Sequence, residues 1–322
     1  MPDLTFRHAE TYGECEAAFE LASGIFNDTS TNDLHGDIKK LSWEYYESFR
    51  PENLIIGLNR HKIVGVLRIC PVVMPWYKRN FRVAGLSSIC VAKEYQGQGF
   101  GRALMEKSVV YLDDENFDFS FLIARRAVDH FYTKFGFFGA SSYQSFKCKF
   151  EREQFEGIIG FSNFKIENSS SYLEFFHSNY KQCFGATCRG EGFWRYAINR
   201  LLAIGLNFKE VIFEGDLIGY IVHRDLSIVE CGFSMKIPQC IIRQSMIEFS
   251  APQSNLQMNL PHDHMITDSL NNVDVEFYSR KCLFGGHMIR WSEKIDKLNF
   301  SIGKSSQSEK PFFFNISLLD EV

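Results

Sequence analysis

The stretch Ile89-Cys90-Val91-Ala92-Lys93-Glu94-Tyr95-Gln96-Gly97-Gln98-Gly99-Phe100-Gly101-Arg102 decides how the rest of the chain is read. Its first residues end a run, Ala84 to Val91, that reads as a strand. Beyond it, Leu104, Met105, Ser108, Val109 and Leu112 recur at the spacing of one helix face. A glycine-rich turn between strand and helix frees backbone N–H groups to aim at one spot, and the helix N-terminus adds partial positive charge there. A pyrophosphate is the natural guest, because glycine keeps Cβ atoms out of its path. Glycines at alternate positions also make a plain tight turn, so competing motifs must be tested letter by letter. A dinucleotide fingerprint would require glycine or alanine where Arg102 or Leu104 stands. A Walker loop needs Gly-Lys-Ser, which occurs only at Gly303-Lys304-Ser305, with Leu298 where the upstream glycine belongs. The surviving pattern is Q/R-x-x-G-x-G/A, read as Gln96-x-x-Gly99-x-Gly101.

Working outward, Leu4 to Arg7 reads as a strand and Tyr12 to Phe26 as a helix, with Cys15, Ala18, Phe19 and Ala22 on one face. A turn-rich stretch from Asn27 to Gly36 and a short helical segment near Ser42 to Phe49 follow. Leu54 to Leu58 and Ile63 to Ile69 then flank the polar turn Asn59-Arg60-His61-Lys62 as a hairpin. After the loop and its helix come a strand, Phe117 to Ala124, and a short helix, Val128 to Phe135, closed by Gly136. The order predicts an α/β (α+β) fold, a mixed central sheet flanked by helices.

That short helix carries Phe131-Tyr132-Thr133-Lys134-Phe135-Gly136-Phe137, a Y-x-x-x-G-F signature. With the glycine loop before it, residues 4 to 150 resemble the GCN5-related N-acetyltransferases. The resemblance implies acetyl-CoA as co-substrate. Its pantetheine would lie beside Ile89, Cys90 and Val91, and its pyrophosphate on Gln96, Gly97, Gln98, Gly99, Phe100, Gly101 and Arg102. It also implies direct attack of an amine on the thioester, an oxyanion held by a backbone N–H near Val91, and Tyr132 as proton donor to the departing thiolate. Tyr132 can also be read as a core aromatic of a Phe-rich helix. Many members of the family place a glutamate on the strand before the loop; here Ser87 and Ser88 stand there. The base is therefore open among Glu44, Glu47, Asp129, His130, the carboxylate of Val322 and a water chain.

The second half echoes the first. Glu210 to Phe213, the turn Glu214-Gly215-Asp216 and Leu217 to Val222 repeat the hairpin, between helical segments at Ser171 to Phe184 and Gly192 to Ile204 and a strand at Leu226 to Cys231. No glycine loop follows at Gly232-Phe233. This predicts a catalytic domain over 1–150 and a degenerate, similarly folded domain over 151–322. Leu260-Pro261-His262-Asp263-His264 and Gly286 to Trp291 resemble the middle domain of the enhanced-intracellular-survival acetyltransferases. That resemblance implies aminoglycoside or polyamine acceptors, and the chain's end soon after Leu298 is read as lacking their third domain. His262 and His264 in a proline-bounded loop read as solvated rather than as metal ligands, and no metal is expected. Cys90 could carry an acyl group or be a small buried hydrophobe.

A net charge of -4 and pI near 6.2 argue against a nucleic-acid partner. No apolar run reaches the roughly 20 residues of a membrane span, and the opening MPDLTFRHAE lacks the apolar core of a signal peptide. Nine scattered cysteines read as reduced thiols of a cytoplasmic protein. The expected activity is transfer of an acetyl group to a primary amine of a small molecule: an aminoglycoside, amino sugar or polyamine. A protein or peptide acceptor, or an acyl-CoA sensor without turnover, are the alternatives.

Overall fold

A computed structural model describes residues 4–26, 33–76, 79–124, 127–139, 141–149, 155–250, 255–261, 264–266, 274–282 and 286–292. Gly303-Lys304-Ser305, His262, Asp263 and the Val322 carboxylate lie outside them. The first half runs β1 (Leu4–His8), α1 (Tyr12–Phe26), α2 (Asp33–Tyr45), β2 (Leu54–Asn59), β3 (Lys62–Trp76), β4 (Arg79–Val91) and α3 (Phe100–Asp114). It continues with β5 (Phe119–Ala124), the single turn α4 (Asp129–Tyr132), β6 (Phe138–Gly139) and β7 (Ser141–Lys149). The second half repeats that order as β8 (Ile159–Asn163), α5 (Ser169–Asn179), α6 (Phe193–Ala203), β9 (Asn207–Phe213), β10 (Asp216–Arg224) and β11 (Ser227–Phe233). It ends on α7 (Gln239–Ser250), β12 (Asn255–Leu260), β13 (Asp274–Cys282) and β14 (Gly286–Trp291).

These strands make two seven-stranded sheets, ordered β1-β2-β3-β4-β5-β14-β6 and β8-β9-β10-β11-β12-β7-β13. Each is mixed, with one parallel junction, β4 to β5 and β11 to β12. The repeat is thus deeper than one hairpin. Each half gives its last strand to the other's sheet, β14 lying between β5 and β6 and β7 between β12 and β13. A cut at residue 150 would part β7 from β12 and β13, and β5 from β14.

Local chemistry explains the differences from the sequence reading. The turn-forming letters around Asn27 to Gly36 hide the start of α2, which begins at Asp33 and ends at Tyr45. Tertiary packing overrides its weak propensity: Tyr45 stacks on Tyr196 of α6 at 5.7 Å between ring centroids. β3 runs through Pro71 and Pro75 to Trp76. Its pairing with β2 reaches only Arg68, so both prolines fall on an edge, where the missing N–H breaks no ladder. The α1 stripe is as read, with Cys15, Ala18 and Ala22 buried against Leu54, Ile56 and Val66. The second half packs around stacked rings, Phe208 on Tyr220 at 5.3 Å. Beside them Arg189 and Glu230, both fully buried, pair through contacts of 2.7 and 2.6 Å.

Candidate active site

β4 parts from its neighbour where the glycine loop approaches. Its parallel pairing with β5 runs from Val83 opposite Phe119 to Leu86 opposite Leu122 and goes no further. On its other side Val66 faces Cys90 and Arg68 faces Ser87, so β4 carries one extra residue there. Ser88 takes it up with φ 51°, left-handed backbone that a residue with a Cβ seldom adopts. Bulge and splay together leave the Ser87–Val91 edge turned away from β3 without a strand partner among the described residues.

At the end of this edge the loop is tied back to the strand. The Gln96 side-chain amide donates to the Val91 carbonyl at 2.8 Å, and that of Gln98 to the Glu94 carbonyl at 2.9 Å. Gly97 and Gly99 have φ of 74° and 87°. No protein atom lies within 4 Å of a Cβ built at either, so the turn demands glycine there for conformation, not for room. Gly99 is the N-cap of α3 and has no side chain to satisfy the first helical N–H groups, which stay available to an anion. Phe100 pins the helix start by burying its ring against Tyr95 at 5.2 Å. Arg102 is exposed and pairs with Glu106 at 2.8 Å.

Tyr132 sits on α4, half-buried between Phe131 and Phe137, at 5.2 and 6.4 Å between ring centroids. Burial raises its phenol above the ordinary value of 10. Its hydroxyl makes no hydrogen bond among the described residues. The turn leans on α3, since a Cβ at Gly101 would come within 3.9 Å of the Phe131 ring. From behind it is held by β14. Arg290 donates from Nε to the Phe135 carbonyl at 3.0 Å and pairs with Asp113 of α3 at 2.7 and 2.6 Å.

A cavity of about 260 Å³ meets β4 at Ser87 and Ser88. Its other walls are α1, α2, Arg68 of β3 and, from the second half, Tyr196 and Arg200 of α6. Three cations line it, Lys39, Arg68 and Arg200, and among the described residues no carboxylate does. Glu44, Glu47, Asp129 and His130 are not among its walls. Glu47 pairs with Arg50 at 3.1 Å, and Asp129 accepts from the His130 backbone N–H at 2.6 Å, which ties it to its own helix start. Cys90 packs beneath β4 against Ala18 and Val66, and burial pushes its thiol up to about 12, which suits a small hydrophobe and not an acyl carrier. Sequence reasoning missed Arg68, Lys39 and Arg200. A signal existed for Arg68, a lone charge within Ile63 to Ile69 on a strand buried on both sides.

The second half closes the corresponding edge. β11 pairs with β12 only through Ser227 and Ile228. Beyond that, Asn179 bonds both the carbonyl and the N–H of Phe233, at 2.6 and 3.1 Å. His264 accepts the Ile266 N–H on Nδ1 at 3.2 Å and so donates from Nε2 to the Cys231 carbonyl at 3.1 Å. His264 is therefore not the solvated loop residue the sequence suggests: it is fully buried, both ring nitrogens are engaged, and burial lowers its pKa to about 4. Among the described residues no three His, Cys, Asp or Glu side chains gather to hold a metal.

A strand that opens beside its parallel neighbour, a glycine turn at a helix N-terminus and a tyrosine turn packed on that helix define an N-acetyltransferase fold. Residues 6–139 match the family model described as "Acetyltransferase (GNAT) domain", so that segment is a GNAT acetyltransferase domain. No curated protein matches the chain. Among solved structures, a conserved protein of unknown function from Enterococcus faecalis V583, described as a probable N-acyltransferase, shares 15% identity. It superposes with a TM-score of 0.67 over 91% of this chain and 73% of its own. A GCN5-related N-acetyltransferase from Kribbella flavida gives 0.64 at 16% identity, over 90% and 71%. Eis1 from Mycobacterium abscessus gives 0.60 at 14%, over 89% and 73%. At such identities the likeness is one of fold. It extends across both halves.

Proposed function

We propose that the protein transfers an acetyl group from acetyl-CoA to a primary amine of a small molecule, by direct attack on the thioester. The observation that carries this reading is a meeting of two spaces. The open β4 edge ends at the glycine turn, and the cavity reaches that edge at Ser87 and Ser88. Pantetheine would pair with Ile89, Cys90 and Val91 as an added strand, and the pyrophosphate would rest on Gln96 to Arg102. With the Val91 carbonyl taken by Gln96, its N–H is the fixed donor for the oxyanion. Tyr132 would protonate the leaving thiolate, and its raised pKa keeps that proton in place at neutral pH.

Among the described residues no carboxylate lines the cavity to take the ammonium proton. Nearby cations do part of that work, because like charge lowers the pKa of an amine beside them, and water can carry the proton away. The residues over 151–322 act as a degenerate partner domain: Asn179 and His264 occupy the strand edge a second cofactor would need, while α6 walls the acceptor cavity. A wall on that side favours a small acceptor over a protein surface. The described cysteines are free thiols, which fits a cytoplasmic setting. No helix among the described residues is long and apolar enough to cross a membrane.

The test is thiol release from acetyl-CoA with a panel of amines and peptides. Release with a small amine, lost when Gly99 and Gly101 are both replaced by valine, supports the reading. Absence of any CoA binding refutes it. Binding without release on any acceptor would point to an acyl-CoA sensor.

A further inference from the structure

Arginines withdrawn from water in this chain are held in two ways. Arg189, fully buried, meets the carboxylate of Glu230, and Arg290 meets that of Asp113. Arg68 is only 2% exposed, yet it has no ion pair among the described residues. Its Nη1 donates to Ser42 Oγ at 3.2 Å and its Nη2 to Ser87 Oγ at 3.0 Å, while Nε is buried with no acceptor. Its remaining neighbour is the face of Trp43, 5.3 Å from the guanidinium. Of the five N–H donors of an arginine, two are spent, and both on neutral hydroxyls. A guanidinium cannot shed its proton to escape burial, and an uncompensated buried charge is strongly unfavourable. The place where compensation can come from is the cavity that Arg68 lines, together with Lys39 and Arg200.

We infer that the acceptor is an amine that also carries a carboxylate, held by Arg68 with Ser42 and Ser87. The inference rests on the acyl-transfer reading for the reaction but not for the binding site. The planar fork of an arginine matches a carboxylate with two parallel hydrogen bonds. Each serine that accepts from Arg68 keeps its own O–H to donate to the same anion. Ser87 is the residue opposite Arg68 in the β3–β4 ladder and lies at the bulge that opens β4, so the anion site adjoins the cofactor edge. The charge of Arg68 disfavours the polycationic aminoglycosides and polyamines that the resemblance of the second half implies.

The experiment has two arms on the full chain with acetyl-CoA or CoA present. Calorimetry measures binding of glycine, β-alanine and 4-aminobutyrate, each against its own amide, then phosphoethanolamine and spermidine. Thiol release is followed with the same amines. At least one amino acid is expected to bind at least 10-fold tighter than its amide, and Arg68→Gln should erase that preference while leaving acetyl-CoA affinity within a factor of two. Arg68→Lys, which keeps charge without the fork, should recover only part of it. Unchanged acetyl-CoA affinity shows that the variants are folded. Equal binding of acid and amide, or a preference for spermidine, overturns the inference even if thiol is released. A preference for phosphoethanolamine overturns the carboxylate as the anion. Carboxylate-selective binding without thiol release on any amine upholds the anion site and refutes acyl transfer instead.

Discussion

Tyr132 and His264 are both pushed toward their neutral forms by loss of water, with different consequences. For Tyr132, proposed as the proton donor, the neutral form would be the working one. Replacing Tyr132 by phenylalanine removes the proton donor while keeping the ring that packs on Phe131 and Phe137. The expected loss is about 10²-fold or more in kcat, the usual worth of a positioned acid, with KM for acetyl-CoA little changed. Full activity of the variant across pH would remove Tyr132 from the chemistry. For His264 the effect is on stability. Its pKa is lowered from 6.5 to about 4 in the folded protein by burial, so between those values the unfolded chain takes up a proton that the folded one refuses. Stability therefore rises with pH across that window, and lowering the pH from 6.5 to 4 forfeits on the order of 3 kcal/mol from this residue. His8, His177 and His223 are also lowered by burial and add to the same slope. Urea midpoints at pH 4.5 and 7 should converge in His264→Gln relative to wild type; an unchanged pH slope would show that His264 titrates freely.

The loop between β4 and α3 is where an element's conformation sets its chemistry. Gly97 and Gly99 hold left-handed backbone beside open space, so a side chain there is strained without meeting any protein atom. Gly99→Val should cost about 1–2 kcal/mol of stability and, if the pyrophosphate rests on this loop as proposed, at least 10-fold in KM for acetyl-CoA, since its Cβ enters the open space beside the turn. Equal KM in variant and wild type would place the pyrophosphate elsewhere. This loop was legible in the sequence because its need for glycine is local, and so were α1 and the hairpin of β2 and β3, whose periodicity shows in the letters. Less was legible where distant parts decide. The packing of the end of α2 depends on Tyr196 of α6, the length of β3 on the absence of a β2 partner past Arg68, and the cavity at Ser87 on a wall from the second half. Ser87 and Ser88, which on letters alone mark a missing base, are in the structure the mouth of that cavity.

At the scale of the molecule, the exchange of β7 and β14 makes each half incomplete without the other. β14 covers the edge of β5 and separates it from β6, and its Arg290 reaches two parts of the site at once: Asp113 on the helix that begins at the cofactor loop, and the Phe135 carbonyl in the turn that carries Tyr132. The second half thus braces the turn that carries Tyr132 as well as walling the cavity at Ser87 and Ser88. Arg290→Ala removes a bidentate, partly buried pair, a loss of about 1–3 kcal/mol in stability. It also frees the Phe135 carbonyl, so the turn that carries Tyr132 loses a fixed support. A several-fold fall in kcat is expected with KM for acetyl-CoA nearly unchanged, because the glycine turn itself is untouched. Loss of stability alone would lower both folded fraction and rate in any background, so the discriminating measurement is a cycle with Tyr132→Phe. If Arg290 acts by holding the tyrosine, Arg290→Ala lowers kcat in the wild type but hardly at all once the hydroxyl is gone. An equal fall in both backgrounds would mean that the exchanged strand supports the fold and leaves the acid where it was.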